Sequence, residues 1–331
     1  MYKRILIPID NSRYSPWCTG MGITLARGLG ASLTGSHIYS AGLHDRRFKD
    51  MEAGLPGPYR AEERLAQSRQ VHGSLIGDGL KLISKAYLDS FKKECTGAGV
   101  RFDLSLAEGK NWLEIVSRAR TGGYGLVIMG MLGLGAVNGS LIGGVCERVA
   151  RKAPSDVLVV KNSAPLSGRI IVAVDGSDAA FSAFRKALSL APVFGVEIET
   201  VAVYDPHFHR RAFEALVKVL SNEDRKIFKF EQQQRLHDEI IDDGLGKVYQ
   251  EALDKTAEEG LEFLSGVRIK TTLLAGKAAP ELQKYLEKNP PCLFVAGRFG
   301  AHRTEESDIG NTAENLLRTA PCNVLLCQDE Q

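Results

Sequence analysis

Two glycine-rich segments hold the residues of this chain best suited to bind a ligand. The first runs from Met129 to Gly144 and the second from Gly297 to Asn311, and each lies between an apolar run and a helical pattern. Both segments fit the spacing G-x2-G-x9-G, with glycines at Gly130, Gly133, Gly143, Gly297, Gly300 and Gly310. Backbone N–H groups at a helix N-terminus bind anions such as phosphate without a charged side chain. The spacing therefore favours a phosphate-binding loop, while glycines that only permit tight turns remain the alternative.

An aspartate ends the first apolar run of each half of the chain. Asp10 follows one such run, and Asp175 follows the other. Ligands of doubly wound α/β sheets bind beyond the carboxyl ends of the strands, at the topological switch point. We therefore expect each aspartate to lie beside its glycine segment. Both aspartates also suit a turn or a helix cap, and that role is compatible with a ligand contact.

The chain is an internal duplication. Three pairs of segments match at separations of 165 to 167 positions: Arg4–Asp10 with Arg169–Asp175, Val100–Lys110 with Val267–Lys277, and Ala153–Val160 with Ala320–Cys327. A near-constant separation along the whole length indicates two homologous domains. We predict these domains at residues 1–162 and 168–331, joined by a short polar linker over 161–168.

Each half alternates short, β-branched apolar runs with helical patterns of ten or more residues. Apolar runs of this kind are typical of strands buried on both faces of a parallel sheet. The alternation predicts an open α/β sandwich in each half. The predicted strands are 3–10, 33–39, 100–107, 125–130 and 156–161 in the first half, and 169–175, 197–204, 267–274, 292–297 and 323–327 in the second.

Composition limits the kinds of partner. The net charge of +2 is close to balance, so nothing suggests that the chain binds nucleic acid or an anionic membrane. Hydrophobic residues make up 44% and charged residues 25%, as in soluble globular proteins. The N-terminus enters a strand pattern at once, which leaves no room for a signal peptide. The six cysteines form no C-x-x-C pair, so we expect reduced thiols and a cytoplasmic protein.

These motifs together resemble the universal stress protein family in tandem form. The aspartate, the glycine loop and an Ala-Pro before the last strand all recur twice. The resemblance implies two doubly wound five-stranded parallel sheets of order 3-2-1-4-5, of the adenine-nucleotide alpha-hydrolase-like kind, each with a helical insert after strand 2. It also implies an adenine nucleotide, ATP or AMP, with Mg²⁺ as a companion of ATP. The residues implied in binding are Asp10, Ile38, Met129, Gly130, Gly133, Gly143 and Gly144, and then Asp175, Val203, Gly297, Gly300, Gly310, Asn311 and Thr312.

Both loops depart from the family pattern, which ends in G-[ST]. Gly144 replaces the hydroxyl residue in the first half, and Asn311 replaces it in the second, where Thr312 follows. The first loop carries no charge, and its Asn138 and Ser140 could restore a polar contact. Acidic side chains repel phosphate, and the second loop contains Glu305, Glu306 and Asp308. We therefore expect the first half to be the better phosphate site.

The inserts, roughly 41–80 and 206–245, read as helices that extend the helix before the third strand of each half. Two sets of apolar residues recur at helical spacing: Leu75, Ile76, Leu80, Ile83 and Tyr87, and then Ile240, Ile241, Leu245, Val248 and Ala252. His44 and His72 recur as His209 and His237. Packing histidines are favoured over a metal or anion site, because the set of candidate ligands is short.

The residues form no recognisable catalytic set, since the chain has no G-x-S-x-G, G-x4-G-K-[ST] or H-E-x-x-H motif. Three hypotheses therefore stay open. The chain is a nucleotide-binding module of the stress response, a weak ATP hydrolase, or a nucleotide-free scaffold that acts through its inserts. In dimers of single-domain relatives the last strands pair. The resemblance implies that Val157–Val160 and Val324–Cys327 pair within this chain, with a further homodimer as an option.

Overall fold

The computed structural model describes residues 1–137, 139–206, 214–263, 269–301, 303 and 307–328, with the side chains of 237–243 outside the described part. Backbone contacts divide the chain into two units, Met1–Ser163 and Ala164–Gln331. Each unit contains a parallel sheet with helices, as the sequence predicts. Within the described residues, no helix is both long enough and apolar enough to cross a membrane.

The first unit is built on five parallel strands. Their order is β3-β2-β1-β4-β5, which confirms the predicted 3-2-1-4-5. Ile5 of β1 and Val127 of β4 lie on central strands and have no exposed surface, because helices cover both faces of the sheet. The strands are β1 Arg4–Pro8, β2 Ser32–Tyr39, β3 Phe102–Glu108, β4 Leu126–Gly130 and β5 Asp156–Val160.

The helices of the first unit connect these strands. They are α1 Tyr14–Leu29, α2 Ala41–Met51, α3 Glu62–Ala98, α4 Asn111–Thr121 and α5 Gly144–Lys152. Short 3-10 turns, Glu52–Gly54 and Gly57–Tyr59, lie between α2 and α3. The insert after β2 is therefore mainly helical, as predicted, and its second helix, α3, is one continuous helix up to the turn before β3.

The second unit repeats this plan with the order β8-β7-β6-β9-β10. Its strands are β6 Arg169–Ala173, β7 Glu197–Tyr204, β8 Lys270–Ala275, β9 Leu293–Gly297 and β10 Asn323–Cys327. Its helices include α6 Asp178–Phe194, α7 Asn222–Ile227, α8 Phe230–Phe263, α9 Ala278–Lys288 and α10 Asn311–Thr319. Residues 214–219 are also helical.

Several strand boundaries differ from the predicted ones by one to three residues, and two of these differences have a clear local reason. Strand β1 ends at Pro8 rather than at residue 10, and proline has no N–H to donate to a neighbouring strand. Strand β3 begins at Phe102 rather than at residue 100, because the chain is still leaving α3. Gly99 takes a left-handed conformation there (φ 67°), and the N–H of Val100 bonds to the carbonyl of Cys95 at 3.2 Å.

Only the C-terminal part of α3 packs on the sheet. A β-carbon on Gly35 of β2 would lie 2.5 Å from the ring of Phe91, so glycine allows the helix to approach the strand. Further towards the helix N-terminus, Leu75 is 68% exposed and Ile83 is 46% exposed. Their helical spacing is observed as predicted, but they are not buried, because this part of α3 contacts α2 and extends beyond the sheet.

The second unit buries one carboxylate beneath α9 and pairs it with two partly exposed cations. Glu199 of β7 is 1% exposed, and its carboxylate lies 2.7 Å from both the Arg169 Nη1 and the Lys270 Nζ atoms. Thr272 and Tyr285 donate hydroxyl hydrogen bonds to it as well. Burial alone would raise the pKa of Glu199, but the hydrogen bonds outweigh burial and lower the pKa to about 2.

We predict that Glu199→Gln destabilises the protein at neutral pH and that the effect fades in acid. The folded-state pKa lies below the usual 4.5, so the carboxylate stabilises the fold above pH 4.5, and this contribution is lost as pH falls towards 2. The two proteins should differ by about 3 kcal/mol in free energy of unfolding at pH 6. Urea unfolding at pH 6 and pH 3 measures the difference, and an equal difference at both pH values contradicts the prediction.

Candidate functional site

Asp10 forms the turn that leads from β1 into α1. The N–H of Ser12 donates to Asp10 Oδ1 at 2.9 Å, and the N–H of Asp10 donates to Ser15 Oγ at 3.0 Å. The second carboxylate oxygen faces the glycine loop, where a β-carbon on Gly133 would lie 3.0 Å from Asp10 Oδ2. Asp10 therefore has the predicted turn role and also borders the loop, so the two interpretations of this residue are compatible.

Asp175 holds the second loop more tightly. The N–H of Ser177 donates to Asp175 Oδ1 at 3.1 Å, and Ser177 caps α6 through the N–H of Ala180. The loop N–H of Ala301 donates to Asp175 Oδ2 at 2.9 Å. A β-carbon on Gly300 would overlap the same oxygen, so this position requires glycine.

The third glycine of each motif closes its loop. The N–H of Gly143 donates to the carbonyl of Met131 at 2.8 Å, and the N–H of Gly310 donates to the carbonyl of Arg298 at 2.8 Å. A β-carbon on either glycine would lie 3.3 Å from that carbonyl oxygen. Gly144 differs, because a β-carbon there would meet nothing nearer than Arg148 Nη1 at 3.6 Å. Packing thus explains the glycines of the motif and leaves Gly144 free to vary.

A cavity of about 460 Å³ opens at the carboxyl ends of β1, β2 and β4. Its volume lies in the range of small-molecule sites. It brings together every residue predicted for the first half: Asp10, Ile38, Met129, Gly130, Gly133, Gly143 and Gly144. The predicted Asn138 lies outside the described residues.

The same cavity has polar lining residues that the sequence motifs did not identify. Ser36 and His37 line it from β2, Asn111 from the start of α4 and Arg148 from α5. The Nδ1 atom of His37 lies 2.5 Å from the carbonyl oxygen of Ile9, which it meets as a hydrogen-bond donor. Of these four residues, only Arg148 could have been identified from the sequence. It follows Gly144 by four positions, so the two residues lie on one face of a helix.

The second unit has a smaller cavity of about 330 Å³ at the equivalent place. Tyr249 lines it from the insert helix α8, and burial, together with the charge of Asp175, raises the pKa of this tyrosine. Arg303 also lines it, with its guanidinium 4.2 Å from the ring centroid of Phe299. The cavity contains every residue predicted for this half: Asp175, Val203, Gly297, Gly300, Gly310, Asn311 and Thr312. Glu305 and Glu306 fall outside the described residues.

Of the duplicated histidines, only those of the first unit have described side chains, and one of them packs against an aromatic ring. The ring of His72 stacks on Phe48, with centroids 4.6 Å apart and 23° between the planes, while His44 is exposed. His209 and the side chain of His237 lie outside the described part. Among the described side chains, no group of three or more His, Cys, Asp or Glu residues could hold a metal ion.

The fold and the two clefts define a tandem α/β protein with a glycine loop at the switch point of each sheet. The family model of the universal stress protein family matches residues 1–161 and 167–328. The chain therefore belongs to the universal stress protein family and carries two copies of its domain.

Individual relatives agree with this assignment. A universal stress protein of Methanocaldococcus jannaschii is 29% identical over 168 residues, which cover 51% of this chain and 86% of that protein. A functionally unknown protein of Pseudomonas aeruginosa PAO1 superposes with a TM-score of 0.63 at 16% identity, over 99% of this chain and 93% of that one. A universal stress protein of Archaeoglobus fulgidus gives 0.58 at 16% identity, over 99% of both chains. The two structures show a shared fold.

We predict that the loop glycines differ sharply in their tolerance of alanine. A β-carbon on Gly130 would overlap the side chain of Tyr14, whereas one on Gly135 meets nothing within 4 Å. Gly130→Ala should lower the free energy of unfolding by about 1–3 kcal/mol, the usual effect of overpacking. Gly135→Ala should change it by less than about 0.5 kcal/mol. Urea unfolding measures both, and equal effects would contradict the packing assigned to Gly130.

Proposed function

We propose that this protein is a regulatory module that binds an adenine nucleotide, ATP or AMP, in the cavity of its first unit. The observation that carries the proposal is that one cavity collects all seven residues predicted for the first half. The glycine loop lies at one end, with Asp10 beside it. Ile38, 7% exposed, and Met129, 5% exposed, offer an apolar surface of the kind that a purine base requires.

The phosphate end rests on backbone N–H groups and one side chain. Helix α5 begins at Gly144, and Gly144 and Val145 both line the cavity, so the positive end of the helix dipole faces it. Arg148, one turn further on, lines the same end with a guanidinium that suits phosphate oxygens. The loop itself contributes no carboxylate to oppose a bound anion.

The second cavity supports weaker binding. One of its loop N–H groups, that of Ala301, already donates to Asp175. Asn315 stands in the place of Arg148, and its side chain bonds to the carbonyl of Asn311 at 2.8 Å. Arg303 supplies a positive charge here, but its guanidinium rests over Phe299. The balance of these contacts favours the first unit.

The proposed role of the nucleotide is regulatory. Occupancy would order the loop and the start of α5 and so change the surface offered to partners. Because all six cysteines are buried free thiols, a reducing compartment suits the protein, and we propose the cytoplasm. If turnover of ATP by the purified protein proved appreciable, the weak-hydrolase alternative would replace the regulatory role.

A matched pair of variants tests the proposal. Gly144→Glu and Asn311→Glu each add one carboxylate at the first residue of the helix that follows a glycine loop, and both positions are exposed. A glutamate in the first turn is favourable for a helix, so both variants should fold. Repulsion of phosphate should weaken AMP binding at least about tenfold in Gly144→Glu and much less in Asn311→Glu. Calorimetric titration with AMP and ATP provides the measurement.

Two results would contradict the proposal. Absence of binding heat from the wild type, under conditions in which its fold is intact by circular dichroism, would remove nucleotide binding altogether. Loss of binding only in Asn311→Glu would assign the nucleotide to the second unit.

We also predict that Gly144→Ser strengthens AMP binding. The site has room for the side chain, since its β-carbon would lie 3.6 Å from Arg148 Nη1. The hydroxyl would restore the family's G-[ST] ending and add one hydrogen bond to phosphate. A gain of about 1 kcal/mol, close to fivefold in affinity, is expected. Unchanged or weaker binding in the same titration would show that phosphate does not lie at the start of α5.

A further inference from the structure

The floor of the first cavity contains a buried hydroxyl without a partner. Ser36 is 1% exposed, and its Oγ atom has no hydrogen-bond partner within the described part of the chain. Its register partner on β3, Ser105, is 9% exposed, and the hydroxyl of Ser105 also has no hydrogen-bond partner among the described residues. Buried hydroxyls of folded proteins normally find a partner, and an unpaired one destabilises the fold. Two adjacent unpaired hydroxyls in one sheet therefore need a physical explanation.

The two hydroxyls differ in their position relative to the cavity. Ser36 lines the cavity and Ser105 does not. Ser36 is two residues before Ile38 on β2, so both side chains point to the same face of the sheet. Asn111 and Ile115 of α4 line the cavity along with them. Ile38 belongs to the apolar surface proposed for a base, so Ser36 is a polar group beside that surface, and Asn111 is a further polar group of the lining.

The second unit lacks these groups at the equivalent positions. Val201 and Thr272 form the register pair that corresponds to Ser36 and Ser105. Thr272 has its partner, since its hydroxyl donates to Glu199 Oε1 at 2.8 Å. Ala278 begins α9 where Asn111 begins α4. The first cavity therefore has two polar side chains, Ser36 and Asn111, at positions where the second unit has Val201 and Ala278.

We propose that Ser36 is a specificity-determining residue of the first cavity, whose hydroxyl pairs with a hydrogen-bonding group on the edge of a purine base. This inference rests on the proposed function, because it assumes that a nucleotide occupies the cavity. The hydroxyl oxygen is a hydrogen-bond acceptor, so it can accept from an exocyclic amine on that edge. The ligand class is a purine nucleotide substituted at C6 by a hydrogen-bonding group. Adenine meets this requirement through its amine.

The experiment compares AMP with purine riboside 5′-monophosphate, which has the same phosphate, ribose and ring but no group at C6. Titrations use the full chain carrying Asn311→Glu, which silences the second cavity, alongside the unmodified chain. In the presence of Ser36, AMP should bind about three- to tenfold more tightly than the analogue, the size expected of one hydrogen bond. In Ser36→Ala the two affinities should become equal within about twofold.

Ser105→Ala is the matched control. It removes a buried hydroxyl that also has no hydrogen-bond partner among the described residues, next to Ser36 but outside the cavity. Both alanine variants should leave the free energy of unfolding unchanged or raise it, because each removes an unsatisfied polar group. Only Ser36→Ala should lose the preference for AMP. Ser36→Cys, of similar volume and with a weak hydrogen-bonding group, is a second variant and should reduce the preference in the same direction.

The outcomes separate this inference from the proposed function. AMP binding with an equal affinity for the analogue in the wild type would overturn the role of Ser36 and leave nucleotide binding in place. So would a preference that survives Ser36→Ala, or one that Ser105→Ala removes equally. If the unmodified chain bound neither nucleotide, the proposed function would fail, and the specificity role would fail with it.

Discussion

The close approach between the glycine loop and the aspartate that ends the first strand is the contact on which each cleft depends. In the first unit the loop passes so near Asp10 that a β-carbon on Gly133 would lie 3.0 Å from its carboxylate. In the second unit the contact is a hydrogen bond from the Ala301 N–H to Asp175. The third glycine then folds the loop back on its own start. These contacts determine where the following helix begins, and the cavity forms between that helix and the strand ends.

The two units share this backbone framework but differ in the side chains that line the cavity. Both units share the sheet order, the aspartate and the closing glycine. The differences lie at the two ends of the cavity. At the base end the first unit has Ser36 and Asn111, and at the phosphate end it has Arg148. Valine, alanine and asparagine stand at the equivalent positions of the second unit. A backbone framework that tolerates such changes allows one copy to bind a ligand while the other diverges.

The family resemblance implied the sheet order, and the repeated combination of an aspartate with spaced glycines predicted the grouping of each aspartate with its loop. It could not predict Ser36, since an unpaired hydroxyl is recognised only when its neighbours on the sheet are known. Leu75 illustrates the same limit. Helical periodicity identifies residues on one face of α3, but whether another element covers that face depends on how far the helix extends beyond the sheet. Arg148 could be assigned to the cavity only once the first residue of α5 was known, because the spacing of the loop glycines does not indicate where that helix begins.

The central claim is that an adenine nucleotide occupies the first cavity, and amide hydrogen exchange of the intact protein titrated with AMP tests it most directly. Exchange should become slower in peptides that cover residues 129–148 and 36–40, with a smaller change over 297–301. Such a pattern would join the loop, the start of α5 and the end of β2 in one binding event. No change in these peptides at saturating AMP, or protection confined to the insert around residues 62–80, would contradict the account.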